Sequence, residues 1–86
     1  MNNPKTKQVI DVVVARLCRY MGEQDLTQYA LAKKSNLPFS TVKSIMQGKT
    51  KGVELKTIIL LSSGLGITPS EFINDSCFLA QNLDLE

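Results

Sequence analysis

Five lysines and no acid fall between Leu26 and Val53: Lys33, Lys34, Lys43, Lys49 and Lys51. From Glu54 to Glu86 one lysine, Lys56, stands against five acids: Glu54, Glu71, Asp75, Asp84 and Glu86. A formal net charge of +2 hides this separation. A cationic middle beside an acidic end suits a face turned towards a polyanion. A solvated lysine-rich face on any helical protein has the same composition, and charge by itself does not separate the two. Catalytic chemistry is poorly provided for. The chain has no histidine and no glycine-rich phosphate loop, its carboxylates are scattered, and neither Cys18 nor Cys77 has an evident base partner. The usual zinc ligand sets are absent as well. An enzyme, a metal centre and a bound cofactor are therefore not expected.

The elements that must position these lysines are helical. With 86 residues, 43% hydrophobic and 21% charged, the chain has the composition of one small globular domain. No secretory leader is expected, because the first seven residues are polar and no small-residue cleavage site follows an apolar core. The longest apolar runs, Val12–Ala15 and Ile58–Leu61, are too short to span a bilayer. A cytoplasmic protein with two reduced thiols is expected; nothing in the spacing argues for a Cys18–Cys77 disulfide.

Period-2 alternation is missing, so no sheet is expected. A first helix over residues 6–21 has Ile10, Val13, Val14, Leu17 and Met21 on one stripe, with Asp11, Arg16 and Arg19 off it and Gly22 as its stop. A second starts after Thr27 as N-cap and breaks at Ser35-Asn36-Leu37-Pro38. Asn36 tolerates the left-handed conformation that a sharp turn requires, and Pro38 suits a helix start. A third, over residues 39–47, turns Val42, Ile45 and Met46 inwards and Ser40, Thr41, Lys43, Ser44 and Gln47 outwards, with Gly48 as its stop. A fourth, over 54–65, carries Leu55, Ile58, Ile59 and Leu61. A fifth opens on Thr68-Pro69-Ser70-Glu71 in capping-box order, with Ile67 and Phe72 placed as a hydrophobic staple. The tail, residues 77–86, has Phe78, Leu79, Leu83 and Leu85 and no clear element of its own.

Residues 28–47 thus read as two short helices joined by a tight turn. Ala32 is the small residue for the crossing, and Leu31, Leu37, Val42 and Ile45 supply the facing apolar sides. Such a pair leaves its second helix protruding, and a protruding helix fits a major groove about 12 Å wide.

At this level the chain resembles a family. Residues 26–73 are similar to the phage Cro and repressor helix-turn-helix proteins, also called the XRE-like family. The resemblance is carried by Leu26-Thr27-Gln28, Leu31-Ala32, Ser35-Asn36-Leu37, Ser40-Thr41-Val42, Ile45, Gly48-Lys49-Thr50-Lys51, Leu55-Lys56-Thr57-Ile58 and the run from Gly64 to Ile73. It implies an all-α fold, a five-helix lambda-repressor-like DNA-binding domain over residues 1–76, with 77–86 as a packing or dimerisation tail. It implies roles too. Gln28 is expected to contact phosphate and steady the recognition helix. Phe39, Ser40, Lys43 and Ser44 are expected to face base edges, Thr41 the backbone, and Gln47, Lys49 and Lys51 the phosphates.

Two departures stand out. Asn36 occupies the turn where the family most often has glycine. The recognition face has no arginine, and its glutamine comes only at the end, so bidentate readout of guanine or adenine is largely missing from its centre. Lys43 can reach guanine and Phe39 can pack on a thymine methyl. Specificity from one subunit is then modest, which favours a homodimer or indirect readout. The resemblance implies a sequence-specific regulator of the repressor type acting on double-stranded DNA. The alternative is a protein-interaction module on the same fold, an antitoxin or a phage or mobile-element adaptor, in which Phe39 meets a protein partner or covers the core.

Overall fold

The computed structural model describes residues 7–85. The start expected for the first helix at Thr6 lies outside them. The helix α1, Val9–Gln24, buries Ile10, Val13, Leu17, Tyr20 and Met21 along one stripe, and Val12 beside it. It does not stop at Gly22. It runs on to Gln24, and Asp25 takes the left-handed conformation instead (φ 57°). The Leu26 N–H closes the end by donating to the Met21 carbonyl at 2.9 Å. Gly22 faces open space and is carried inside the helix as a tolerated residue.

The helices α2, Gln28–Ser35, and α3, Phe39–Met46, follow as expected. The Thr27 hydroxyl caps α2 by accepting from the Ala30 N–H at 3.0 Å. Asn36 ends it in the left-handed conformation (φ 56°), and the Leu37 N–H reaches back to the Ala32 carbonyl at 3.0 Å. Pro38 sits one position before α3, where its carbonyl accepts from Thr41 and Val42 N–H groups at 3.1 and 3.3 Å.

The helix α4, Leu55–Leu65, differs from expectation in its buried face. Ile58, Leu61, Ser62 and Leu65, at strict helical spacing, point inwards, together with Gly64. Leu55 is 71% exposed and Ile59 46% exposed. Leu55 sits on the first turn, beyond the reach of the core, and Ile59 is rotated about 100° from Ile58. The short helix α5, Pro69–Phe72, is capped by Thr68, whose hydroxyl accepts from the Glu71 N–H at 3.1 Å. The Glu71 carboxylate accepts from the Tyr20 hydroxyl at 3.4 Å, a contact that joins α5 to α1. Phe72 is fully buried and Ile67 packs against the same core.

Arg16 departs furthest from the sequence reading, which left it off the buried stripe. Its side chain is enclosed, with the residue 5% exposed. It donates from Nε to the Phe72 carbonyl at 2.8 Å and from Nη2 to the Glu71 carbonyl at 2.7 Å and the Tyr20 hydroxyl at 3.2 Å. Its Nη1 lies 3.6 Å from Asp75. The last carbonyls of α5 lie beyond its own ladder of hydrogen bonds, and α1 supplies a cation to them beside the Asn74 N–H that reaches the Glu71 carbonyl at 3.2 Å.

The tail is ordered by two 3₁₀ turns, Ser76–Phe78 and Ala80–Asn82. It then forms a strand, β2 (Leu83–Asp84), that pairs in parallel with β1 (Lys7–Gln8) in the register Lys7 with Leu83 and Gln8 with Asp84. No sheet was expected. Two-residue strands are too short to show alternation, and their partners lie at opposite ends of the chain. Phe78 packs against the core, whereas Leu79 is exposed.

Candidate nucleic-acid interface

The inner face of α3 is anchored by Val42 and Ile45, both buried in the common core. Anchoring that face fixes the opposite one in solvent. Ser40, Lys43 and Gln47 are exposed there, Thr41 and Ser44 are half-buried at its margin, and Phe39 at the first position is 41% exposed. Gln28, at the first position of α2, is half-buried. Gly48 takes φ 68°, and the Lys49 N–H returns to the Ser44 carbonyl at 3.1 Å, so the chain leaves α3 sharply and carries Lys49 and Lys51 out on an exposed loop.

Ser40, Thr41 and Ser44 also form one wall of an open groove of about 410 Å³ between α3 and the start of α4, with Thr50, Val53 and Thr57 opposite. Phe39, Lys43, Gln47, Lys49 and Lys51 lie outside that groove, so the nine residues expected to meet DNA do not form one cavity. Three of them, Phe39, Lys43 and Gln47, form a ridge at one-turn spacing along α3 and its C-cap, with the groove, which also has Glu54 in its lining, on one flank. A ridge about 12 Å long suits insertion into a wide groove rather than enclosure of a small ligand. Among the described residues no group of three or more His, Cys, Asp or Glu side chains converges as a metal site, and Cys18 and Cys77 are both unpaired. No helix among these residues is long and apolar enough to cross a membrane.

A sequence profile of the Cro/C1-type HTH DNA-binding domain matches residues 7–77. The chain belongs to this family. The match covers α1 to α5 and the first 3₁₀ turn. A comparison with curated proteins and one with solved structures give no match. As a Cro/C1-type domain, the protein has DNA as its implied partner and the fold that the five-helix reading expected.

Phe39 has aromatic company in this Cro/C1-type domain that no local sequence pattern announces. Tyr29 on α2, 60% exposed, meets the Phe39 ring edge-on, with centroids 5.9 Å apart and planes at 62°. The Lys33 ammonium lies 5.7 Å from the Tyr29 ring centre. The Tyr29–Lys33 spacing of one helical turn is visible in the sequence. The contact with Phe39 crosses the turn between two helices and is not.

Near α5, hydrogen bonds from Cys77, with its N–H 2.8 Å from Oδ1, hold the Asp75 carboxyl below the ordinary aspartate value. The Arg16 guanidinium adds to this.

Proposed function

We propose that this Cro/C1-type domain is a transcriptional repressor that reads an inverted repeat as a homodimer. In this reading α3 lies in the major groove. Phe39, Ser40, Lys43 and Ser44 meet base edges. Gln28, Thr41, Gln47, Lys49 and Lys51 meet the backbone and fix the register. The reading rests above all on the α3 ridge: polar and cationic outside, pinned by Val42 and Ile45 inside, in a stretch of chain with no acid between Leu26 and Val53. Residues 1–76 are the DNA-binding unit in this scheme. Residues 77–86 serve as a packing or dimerisation tail, and exposed Leu79 beside exposed Ile73 supports the dimer contact. The protein acts in the cytoplasm.

A two-fold axis puts half-sites roughly 10 base pairs apart. Affinity falls with salt at a log–log slope of about −0.9 for each phosphate neutralised. Selection from a random duplex library at about 0.15 M salt tests the whole reading. An enriched inverted repeat is the expected result. Folded protein that enriches no sequence refutes it. The competing reading is a protein-interaction module, an antitoxin or a phage or mobile-element adaptor; exposed Phe39 favours it. That reading requires salt-resistant binding to a protein, lost on changing Phe39 and kept on changing the lysines.

A further inference from the structure

The outer face of α3 has one apolar member. Ser40, Lys43, Ser44 and Gln47 all carry polar groups, while Phe39 opens the helix with a ring that neither donates nor accepts a hydrogen bond. That ring is braced. Tyr29 meets it edge to face at 5.9 Å, a favoured aromatic arrangement, and Lys33 sits 5.7 Å from the centre of the Tyr29 ring. The three side chains form a stack from α2 to the tip of α3, and both rings remain open to solvent.

Base edges in the major groove present donors, acceptors and one apolar group, the C5-methyl of thymine. The first turn of a recognition helix is the part that approaches base edges in this docking geometry. A phenyl ring there complements the methyl and none of the polar edges. Lys33 over Tyr29, and Lys43 one turn along α3 from Phe39, surround the pair with positive charge, which favours a polyanion over an apolar protein surface.

We propose that Phe39 reads the C5-methyl of a pyrimidine at one position in each half-site, and that Tyr29, steadied by Lys33, is the positioning residue that holds its ring there. The inference rests on the DNA-reading function proposed above and names the base feature that it selects. Thymine is the source in unmodified DNA. 5-Methylcytosine carries the same group, so both are tested.

The experiment uses the full chain and the duplex obtained by selection, with each thymine replaced in turn by uracil, which removes one methyl and nothing else. Wild-type affinity is expected to fall about fourfold at one thymine per half-site, the value of one buried methyl. Phe39→Ala and Tyr29→Ala are expected to bind the thymine and uracil duplexes equally well, and Tyr29→Phe, which keeps the ring, to retain the preference. Cytosine and 5-methylcytosine at that position form a further arm. Tighter binding on methylation shows that either source serves, and no change assigns the site to thymine. Thermal melting checks that the variants fold, which the exposure of both rings favours. Wild-type protein indifferent to uracil at every thymine overturns the proposal while leaving the DNA-reading function intact. A preference undiminished in Tyr29→Ala overturns the positioning role. Failure to enrich any sequence overturns the function and this inference together.

Discussion

Gly64 lies where α4 meets α2, and the absence of a side chain there lets Ser35 approach. A Cβ on residue 64 would stand 2.9 Å from the Ser35 backbone nitrogen and 3.1 Å from its Cα, and would overlap its hydroxyl. A hydroxyl can rotate aside; a backbone nitrogen moves only if α2 moves. Two effects therefore oppose each other in Gly64→Ala. Replacing a helical glycine with alanine stabilises by about 0.5–1 kcal/mol. Overpacking a close core contact costs about 1–3 kcal/mol, and contact with backbone puts this case in the upper half of that range. The net expectation is a loss of about 1–2.5 kcal/mol, or a midpoint roughly 4–20 °C lower for a domain of this size. Thermal and urea unfolding followed by far-ultraviolet circular dichroism measure it. Ser35→Ala is the companion. The Ser35 hydroxyl is buried without a hydrogen-bond partner among the described residues, so its removal breaks no bond there and is expected to stabilise by about 0.5–1 kcal/mol. In that background Gly64→Ala still destabilises, because the backbone contact remains. A Gly64→Ala protein that melts at or above the wild-type temperature would refute the close approach and the reasoning built on it.

Lys43→Ala is expected to cost about 1–3 kcal/mol at one operator position if Lys43 reads a base. Equal loss on every duplex in a binding titration reduces it to a phosphate contact. Arg16→Met fills similar space but removes the buried donor of the Phe72 carbonyl, while Asn74 still serves the Glu71 carbonyl, and urea unfolding should show a loss of about 1–3 kcal/mol. Asn36→Ala should lose about 1 kcal/mol, since residue 36 has a positive φ, while Asn36→Gly should match or exceed the wild type in the same melt. The folded state favours the charged form of Asp75, so this residue stabilises the fold above the ordinary aspartate value and stops doing so as the pH falls through its lowered one. Wild-type protein should therefore lose stability relative to Asp75→Asn below about pH 4. Parallel acid titrations of the two proteins would expose the error if their curves stayed a constant distance apart.

Where an element ends by local chemistry, the sequence is a sufficient guide. Thr27, Asn36, Gly48 and Thr68 each act through bonds to residues within five positions, and their roles follow from residue type and spacing. Asp25 is the exception: aspartate rather than the nearby Gly22 ends α1, and the turn beyond the glycine is tied to α4 by Gln24, whose Nε2 donates to the Leu65 carbonyl at 2.7 Å. Contacts that join distant parts of the chain leave weaker traces. Arg16 looks like a solvated cation on the wrong side of an amphipathic helix. Its partners are the carbonyls of a four-residue helix more than fifty residues away, and nothing in the local pattern announces that these need a donor. The β1–β2 ladder and the Tyr29–Phe39 contact are hidden for the same reason.

The candidate interface sits between these two cases. The residue types on α3 and their outward spacing are legible, because Val42 and Ile45 set the helical phase and the rest of the face follows. The aim of that face is not legible. It depends on how α2 is seated on α4, and Ser35 lies close against Gly64 in that seat, one residue before the Asn36 turn that launches α3. A shift of α2 at Ser35 therefore displaces the tip of the reading helix, Phe39, almost directly. A small residue at position 64 thus serves the fold and the aim of α3 together. This coupling separates stability from readout. Gly64→Ala should weaken sequence discrimination even at temperatures where the variant remains fully folded, whereas Asn36→Gly, which preserves the turn, should leave discrimination unchanged.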